Sequence, residues 1–261
     1  MPSVRYSYRG WLLDLDGTVY LGDRLIAGAS EAIQALRENG RRVAFLSNKP
    51  IETRVDYAQK LTRLGVPAEA DDVINSSLVL ARHLRAIDPG APVFVIGEAP
   101  MLAEMCAHGF EVRDDEHVRW VVIAFDRTFS YAKLNTALQA VRAGARLIAT
   151  NPDRTCPVEG GEIPDCAGMI AAVEAVTGKT VEAIVGKPSP IILEVALAAL
   201  GVPATESVIV GDRIETDVTM GKRLGLATIL VLSGVTRSGD PRIATLAPDH
   251  VLRSIEELIE R

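Results

Sequence analysis

Short apolar runs alternate with amphipathic stretches along most of this chain, the pattern of strands and helices that build a parallel sheet from βα units. Residues 11–15 read as a first strand, 32–39 as a helix ended by Gly40, 42–46 as a second strand and 52–64 as a second helix. Residues 72–75 read as a third strand. Further strands are expected at 93–97, 121–125 and 147–150, with helices between them. A helix over 190–200 precedes strands at 207–211 and 227–232. Leu64-Gly65-Val66-Pro67-Ala68 and Leu200-Gly201-Val202-Pro203-Ala204 are near-repeats, each between a helix and the next strand, where Gly caps and Pro stops the helix. They read as one loop solution used twice. The fold class is α/β, a doubly wound, Rossmann-like parallel sheet.

Four places along this pattern carry chemistry. Trp11-Leu12-Leu13-Asp14-Leu15-Asp16-Gly17-Thr18-Val19 puts two carboxylates just past an apolar strand. Ligands of open α/β sheets bind beyond the carboxyl ends of strands, so an acid there can be nucleophile, metal ligand or proton donor. The competing reading is a solvated turn, since Asp and Gly are turn formers. Phe45-Leu46-Ser47-Asn48-Lys49 ends the second strand with a hydroxyl and backbone N–H groups able to hold phosphate oxygens, although Ser-Asn is also ordinary loop chemistry. Val185-Gly186-Lys187-Pro188-Ser189-Pro190 opens the long helix, and a lysine there opposes the helix dipole unless an anion lies between them. Val210-Gly211-Asp212-Arg213-Ile214-Glu215-Thr216-Asp217 places two more acids past another strand. In order, the set supplies two acid pairs, a hydroxyl and a lysine, which suits magnesium and a phosphate.

Composition narrows the field. Lys and Arg number 28 against 34 Asp and Glu, a net charge of −6 without a run of one sign. That leaves no basic stripe for nucleic acid and no polybasic membrane anchor. No apolar stretch approaches the ~18 residues of a membrane span, and the first ten residues lack an apolar signal core, so a cytoplasmic location is expected. Cys106, Cys156 and Cys166 lack CxxC spacing, and the four histidines form no HExxH pair, which argues against a disulfide framework or a zinc site. Asn75-Ser76-Ser77 matches a glycosylation sequon by chance. Gly178-Lys179-Thr180 resembles the end of a Walker loop, but Val173 stands where its first glycine belongs, and the tripeptide follows a helix.

The ordered set Asp14-x-Asp16-Gly17-Thr18, Ser47-Asn48, Lys187-Pro188 and Gly211-Asp212…Asp217 resembles the haloacid dehalogenase superfamily of phosphohydrolases. Val95-Ile96-Gly97-Glu98, residues 126–134 and Ala149-Thr150-Asn151-Pro152-Asp153 are similar to the class IIA, C2-type cap of its nitrophenylphosphatase and N-acetylglucosamine-operon branch. The likeness covers nearly the whole chain. The 140 residues from Ser47 to Lys187 far exceed one crossover. An α/β cap is therefore expected at 79–181, inserted into a core of 1–78 and 182–261. Two departures bear on substrate preference: Lys49 stands where many relatives have Asn, and Pro164-Asp165-Cys166-Ala167-Gly168 replaces a Pro-Gly-x-Gly turn.

The resemblance implies a phosphatase of small phosphorylated metabolites, with Asp14 as nucleophile and Asp16 as acid and base. Ser47, Asn48 and Lys187 would hold phosphate; Asp14, the Asp16 carbonyl and Asp212 would hold magnesium, with Asp217 behind them. Phe125, Asp126, Arg127, Asn151, Asp153 and Cys156 are cap candidates for the leaving group, against the alternatives of a structural turn and a packed core. Relatives also imply a homodimer through the cap. A mutase or other phosphotransferase of the superfamily, or a silent binding relative, is the alternative. A signalling receiver also combines Asp, Ser or Thr and Lys, but its acid pair comes first, its phosphorylated Asp lies on a later strand, and it is about half this length.

Overall fold

The computed structural model describes residues 8–158 and 160–258. The chain divides into two compact units: Met1–Ser47, Arg54–Ile74 and Lys187–Arg261 form one, and Asn48–Thr53 with Asn75–Gly186 the other. The inserted unit is thus a few residues longer at each end than 79–181, and it also takes the segment directly after Ser47.

In the first unit, six strands lie in the order His250–Leu252, Ala227–Val231, Ser207–Gly211, Gly10–Asp14, Arg42–Ser47 and Val73–Asn75. Gly10–Asp14 is central and parallel to both neighbours, with Leu13 opposite Phe45 on one side and Val210 on the other. Every residue of that strand is buried, so its run of Trp11, Leu12 and Leu13 is apolar on both faces, as central parallel strands are. The chain winds outward from this strand in one direction, and its last part winds outward in the other. The crevice between Gly10–Asp14 and Ser207–Gly211 is therefore the topological switch point, where ligands of such sheets bind.

Helices cover the sheet through narrow apolar stripes. Helix Ala29–Glu38 begins earlier than the sequence pattern suggests, and buries Ala29, Ala32, Ile33 and Leu36 at i, i+3, i+4 and i+7 spacing. Helix Pro190–Leu200 has the expected bounds: Ser189 accepts from Ile191 N at 3.3 Å, Pro190 opens it and Gly201 closes it. Gly65 and Gly201, the paired loop glycines, both have positive φ (93° and 61°), and each loop runs on into a short 3₁₀ turn.

The second unit holds its own parallel sheet, ordered Ala183–Ile184, Arg146–Ala149, Trp120–Ile123, Pro92–Ile96 and Glu111–Val112. A hairpin of Thr155–Val158 and Gly161–Pro164 adds an antiparallel ribbon. Asn75 of the sequon is fully buried and caps helix Ser76–Ile87, accepting from Leu78 N at 3.0 Å. Gly178 of the Walker look-alike is the left-handed cap of helix Cys166–Thr177.

Candidate active site

The first unit gathers Asp14, Lys187, Asp212 and Asp217. Asp14 is the last residue of the central strand, and Asp212 directly follows the neighbouring strand Ser207–Gly211. Next comes a π-helical turn, Ile214–Val218, whose wider winding carries Asp217 back toward the strand end. There its Oδ2 accepts from Arg213 N at 3.2 Å and from Thr216 Oγ1 at 3.4 Å.

Lys187 Nζ donates to Asp14 Oδ1 and, at 2.7 Å, to Asp217 Oδ1. The anion that the sequence demanded of a lysine before helix Pro190–Leu200 is thus a pair of carboxylates. Thr18 Oγ1 lies 3.4 Å from Asp14 Oδ2. Ser47 Oγ contacts Tyr57 Oη at 3.3 Å, and both residues are buried. Asp16 lies in the turn after the strand, half-buried and bridged through its main chain to Tyr20.

Three buried carboxylates around one ammonium are short of positive charge. Burial pushes Asp14 well above the usual carboxylate range; Asp217 and Asp212 push the same way, while Lys187 opposes them. Asp212 is raised to about 6 by burial and by Asp217. Burial alone would lower Lys187, but Asp14 and Asp217 outweigh it and hold the ammonium above its ordinary value.

These residues fit a hard divalent cation. One oxygen from each of Asp14, Asp212 and Asp217 lies within 4.8 Å of the others. Asp212 Oδ1 is buried and has no hydrogen-bond partner among the described residues. A buried carboxylate oxygen in that state is costly unless a cation takes it.

Comparison with known proteins agrees with this geometry. Residues 11–111 match the family described as haloacid dehalogenase-like hydrolase, and residues 184–258 match a HAD-hydrolase-like family. The sugar-phosphatase AraL of Bacillus subtilis is 41% identical over 250 residues, 95% of this chain and 91% of that protein. The chain belongs to the haloacid dehalogenase-like hydrolases. Among solved structures, a 4-nitrophenylphosphatase from Thermotoga maritima superposes with a TM-score of 0.92 at 36% identity, covering 97% of this chain and 96% of that one. NagD from E. coli K-12 gives 0.86 at 30% identity, covering 96% and 98%.

In this hydrolase the remaining sequence candidates lie in the second unit. Asn48 Nδ2 donates to Asp153 Oδ2 at 2.9 Å, and Asn151 Nδ2 donates to the same oxygen at 3.1 Å and to Asp165 Oδ1 at 3.0 Å. Gly186 N donates to Thr150 O at 2.7 Å. The neighbours in sequence of Ser47 and Lys187 are thus both latched to the turn of Thr150, Asn151 and Asp153. Burial raises Asp165 above its ordinary value.

Asp126 accepts from Thr128 N and Oγ1 at 2.8 and 2.7 Å and from Lys133 Nζ at 2.5 Å, closing the turn before helix Tyr131–Arg142. Arg127 pairs with Glu98 through two side-chain hydrogen bonds of 2.8 and 2.7 Å, and its main-chain N donates to Glu98 Oε1 at 3.0 Å. Phe125 and Cys156 are 1% and 3% exposed, packed in the apolar core of this unit with Ile96, Ile123 and Val173. Of the two readings held for these cap candidates, leaving-group contact and a packed core, their burial is the packing geometry.

Sequence reasoning passed over residues 233–236, where Val235 N donates to Asp212 Oδ2 at 2.5 Å and Ser233 Oγ donates to Gly17 O at 2.7 Å. Their Ser, Gly and Thr are ordinary loop residues. The one available signal was their position, just past the strand Ala227–Val231 on the same sheet edge.

Proposed function

We propose that this hydrolase is a magnesium-dependent phosphomonoesterase acting on small phosphorylated metabolites through a phosphoaspartate on Asp14. The observation that carries the reading is the buried cluster of Asp14, Lys187, Asp217 and Asp212, with Asp212 Oδ1 left uncommitted. Its relatives' names, sugar phosphatase and 4-nitrophenylphosphatase, supply the substrate class: phosphate esters of sugars and of nitrophenol.

In this reading a carboxylate oxygen of Asp14 attacks phosphorus, and the bond from phosphorus to the leaving oxygen breaks. Asp16 gives its proton to the leaving alkoxide. It then takes a proton from the water that attacks phosphorus, which releases inorganic phosphate and restores Asp14. Lys187 and Ser47 hold the non-bridging oxygens during both steps, with Asn48 beside Ser47 in the chain. Asp217 keeps Lys187 aimed. The Asp14 carboxylate, the Asp16 main-chain carbonyl and Asp212 would hold magnesium, which supplies charge neutralisation to the transferring group. Leaving-group selection falls to the inserted unit, read as a class IIA cap, because the core cluster contains chemistry only for phosphate and metal. The partner is a small metabolite in the cytoplasm, not nucleic acid or membrane.

Turnover across sugar phosphates, glycerol phosphate, nucleotides, pyridoxal phosphate and nitrophenyl phosphate tests the reading. Activity should vanish with chelator, return with magnesium, and fail with calcium, whose looser shell spoils in-line alignment. Full activity after exhaustive chelation would end the magnesium assignment.

A further inference from the structure

Asp212 is held by a segment that none of the four sequence motifs contains. Val235 N donates to its Oδ2 at 2.5 Å, and Thr236 N donates to its main-chain oxygen at 3.1 Å. Thr236 is 1% exposed, and its Oγ1 accepts from Ile214 N at 3.4 Å, which ties the segment to the π-helical turn bearing Asp217. On the other side Ser233 Oγ donates at 2.7 Å to the carbonyl of Gly17, the residue after Asp16.

The fit leaves no room for a side chain. A Cβ on Gly234 would lie 1.9 Å from Asp212 Oδ2 and 2.5 Å from its carboxyl carbon. A Cβ on Gly17 would lie 2.4 Å from the same oxygen. The carboxylate is therefore clamped between two glycine backbones, with one oxygen engaged by a main-chain N–H and the other, Oδ1, without a partner among the described residues.

We propose that residues 233–236 are a positioning turn for Asp212: the turn engages Oδ2 and thereby presents Oδ1 to a divalent cation. The inference rests on the reading of Asp212 as a metal ligand. Its physical basis is that a carboxylate free to rotate would spread its oxygens over water and nearby donors, whereas one oxygen pinned by an amide fixes the direction of the other. Partners that orient a ligand in this way are typically worth about 10–100-fold in metal affinity. Because the same turn bonds to Gly17 O, it also sets Asp212 relative to the loop that carries Asp16.

The test is manganese binding to the full-length, metal-stripped protein, titrated by electron paramagnetic resonance alongside thermal unfolding of the metal-free form. Gly234→Ala should weaken binding by about 10–100-fold. Gly239→Ala is the control for replacing a nearby glycine without a clash at Asp212: a Cβ there meets nothing within 4 Å, and its φ of +88° makes it the more strained change, since Gly234 is not left-handed. It should bind manganese as the parent does. If Gly234→Ala fails to fold, Thr236→Val, nearly isosteric and lacking the hydroxyl that holds Ile214, should still weaken binding, toward the lower end of about 10–100-fold.

A folded Gly234→Ala that binds manganese like the parent would overturn the inference, as would a loss of equal size in Gly239→Ala. So would parental binding by Thr236→Val. Asp212→Asn separates the two levels of the claim. If it too binds like the parent, the metal reading itself has failed; if it alone is weakened, only the positioning role has failed.

Discussion

Lys187 Nζ donates to Asp217 Oδ1 at 2.7 Å across thirty residues of sequence, and the same ammonium donates to Asp14. One cation therefore faces two buried carboxylates, and its removal exposes both to an uncompensated interior. Lys187→Met should lower turnover about a thousandfold, the scale of losing one aligned charged donor to a transferring group. It should also cost about 3–5 kcal/mol of stability near neutral pH, the usual penalty for breaking a buried ion pair from one side. Urea unfolding of the metal-free variant checks this, and the deficit should shrink as acid protonates Asp14.

The second prediction concerns pH and metal together. Asp212 is raised to about 6 in the folded protein from an ordinary 3.8. A group raised on folding contributes stability that is full below its unfolded value and is lost as pH rises through its folded value. The metal-free protein should therefore lose stability between about pH 4 and about pH 6 on this account. Magnesium, which on the proposed reading is held by the ionised carboxylates, should raise the melting temperature strongly at about pH 7.5 and hardly at all at about pH 4.5. Equal stabilisation at both would remove the carboxylate cluster as the binding site.

Much of this was legible in the chain. Helix Pro190–Leu200 and strand Ser207–Gly211 have their expected bounds because Ser189, Pro190, Gly201 and Gly211 punctuate an otherwise apolar pattern. The meeting of Asp14 and Asp212 follows from neighbouring strand ends in one parallel sheet, whereas Lys187 comes from the start of helix Pro190–Leu200 and Asp217 from the turn Ile214–Val218. Other features could not be read. The short strands Glu111–Val112 and Ala183–Ile184 are too brief to show a period, and the hairpin after Thr155 contains Pro157 and exposed Val158. Asn48 looked like a companion of Ser47, but its side chain turns to Asp153, a partner 105 residues away. No local pattern encodes a contact of that separation.

That latch gives a third prediction. Asp153→Ala removes the acceptor shared by Asn48 and Asn151, and should cost about 1–3 kcal/mol, the penalty for stranding buried donors. Ser76 Oγ still donates to the Asn48 carbonyl at 2.6 Å, so the segment should loosen without detaching. Hydrogen exchange would report faster opening around Asn48 and Gly186; unchanged protection there would show that the latch holds nothing.

Phe125 supplies a fourth. Packed at 1% exposure in the inserted unit's core, it should cost about 3–5 kcal/mol when cut to alanine. The milder Phe125→Leu should leave the ratio of kcat/KM for a sugar phosphate and nitrophenyl phosphate unchanged. A shifted ratio in a stable variant would return Phe125 to the substrate.

The central claim is a covalent phosphate on Asp14, and acid-quench trapping with a labelled substrate tests it most directly. The quenched protein should carry the labelled phosphate, and borohydride, which expels that phosphate and leaves homoserine, should convert residue 14 alone, with no label in Asp14→Asn, a nearly isosteric variant that should remain folded. Label on Asp16, Ser47 or any other residue, or turnover persisting in Asp14→Asn, would contradict the account.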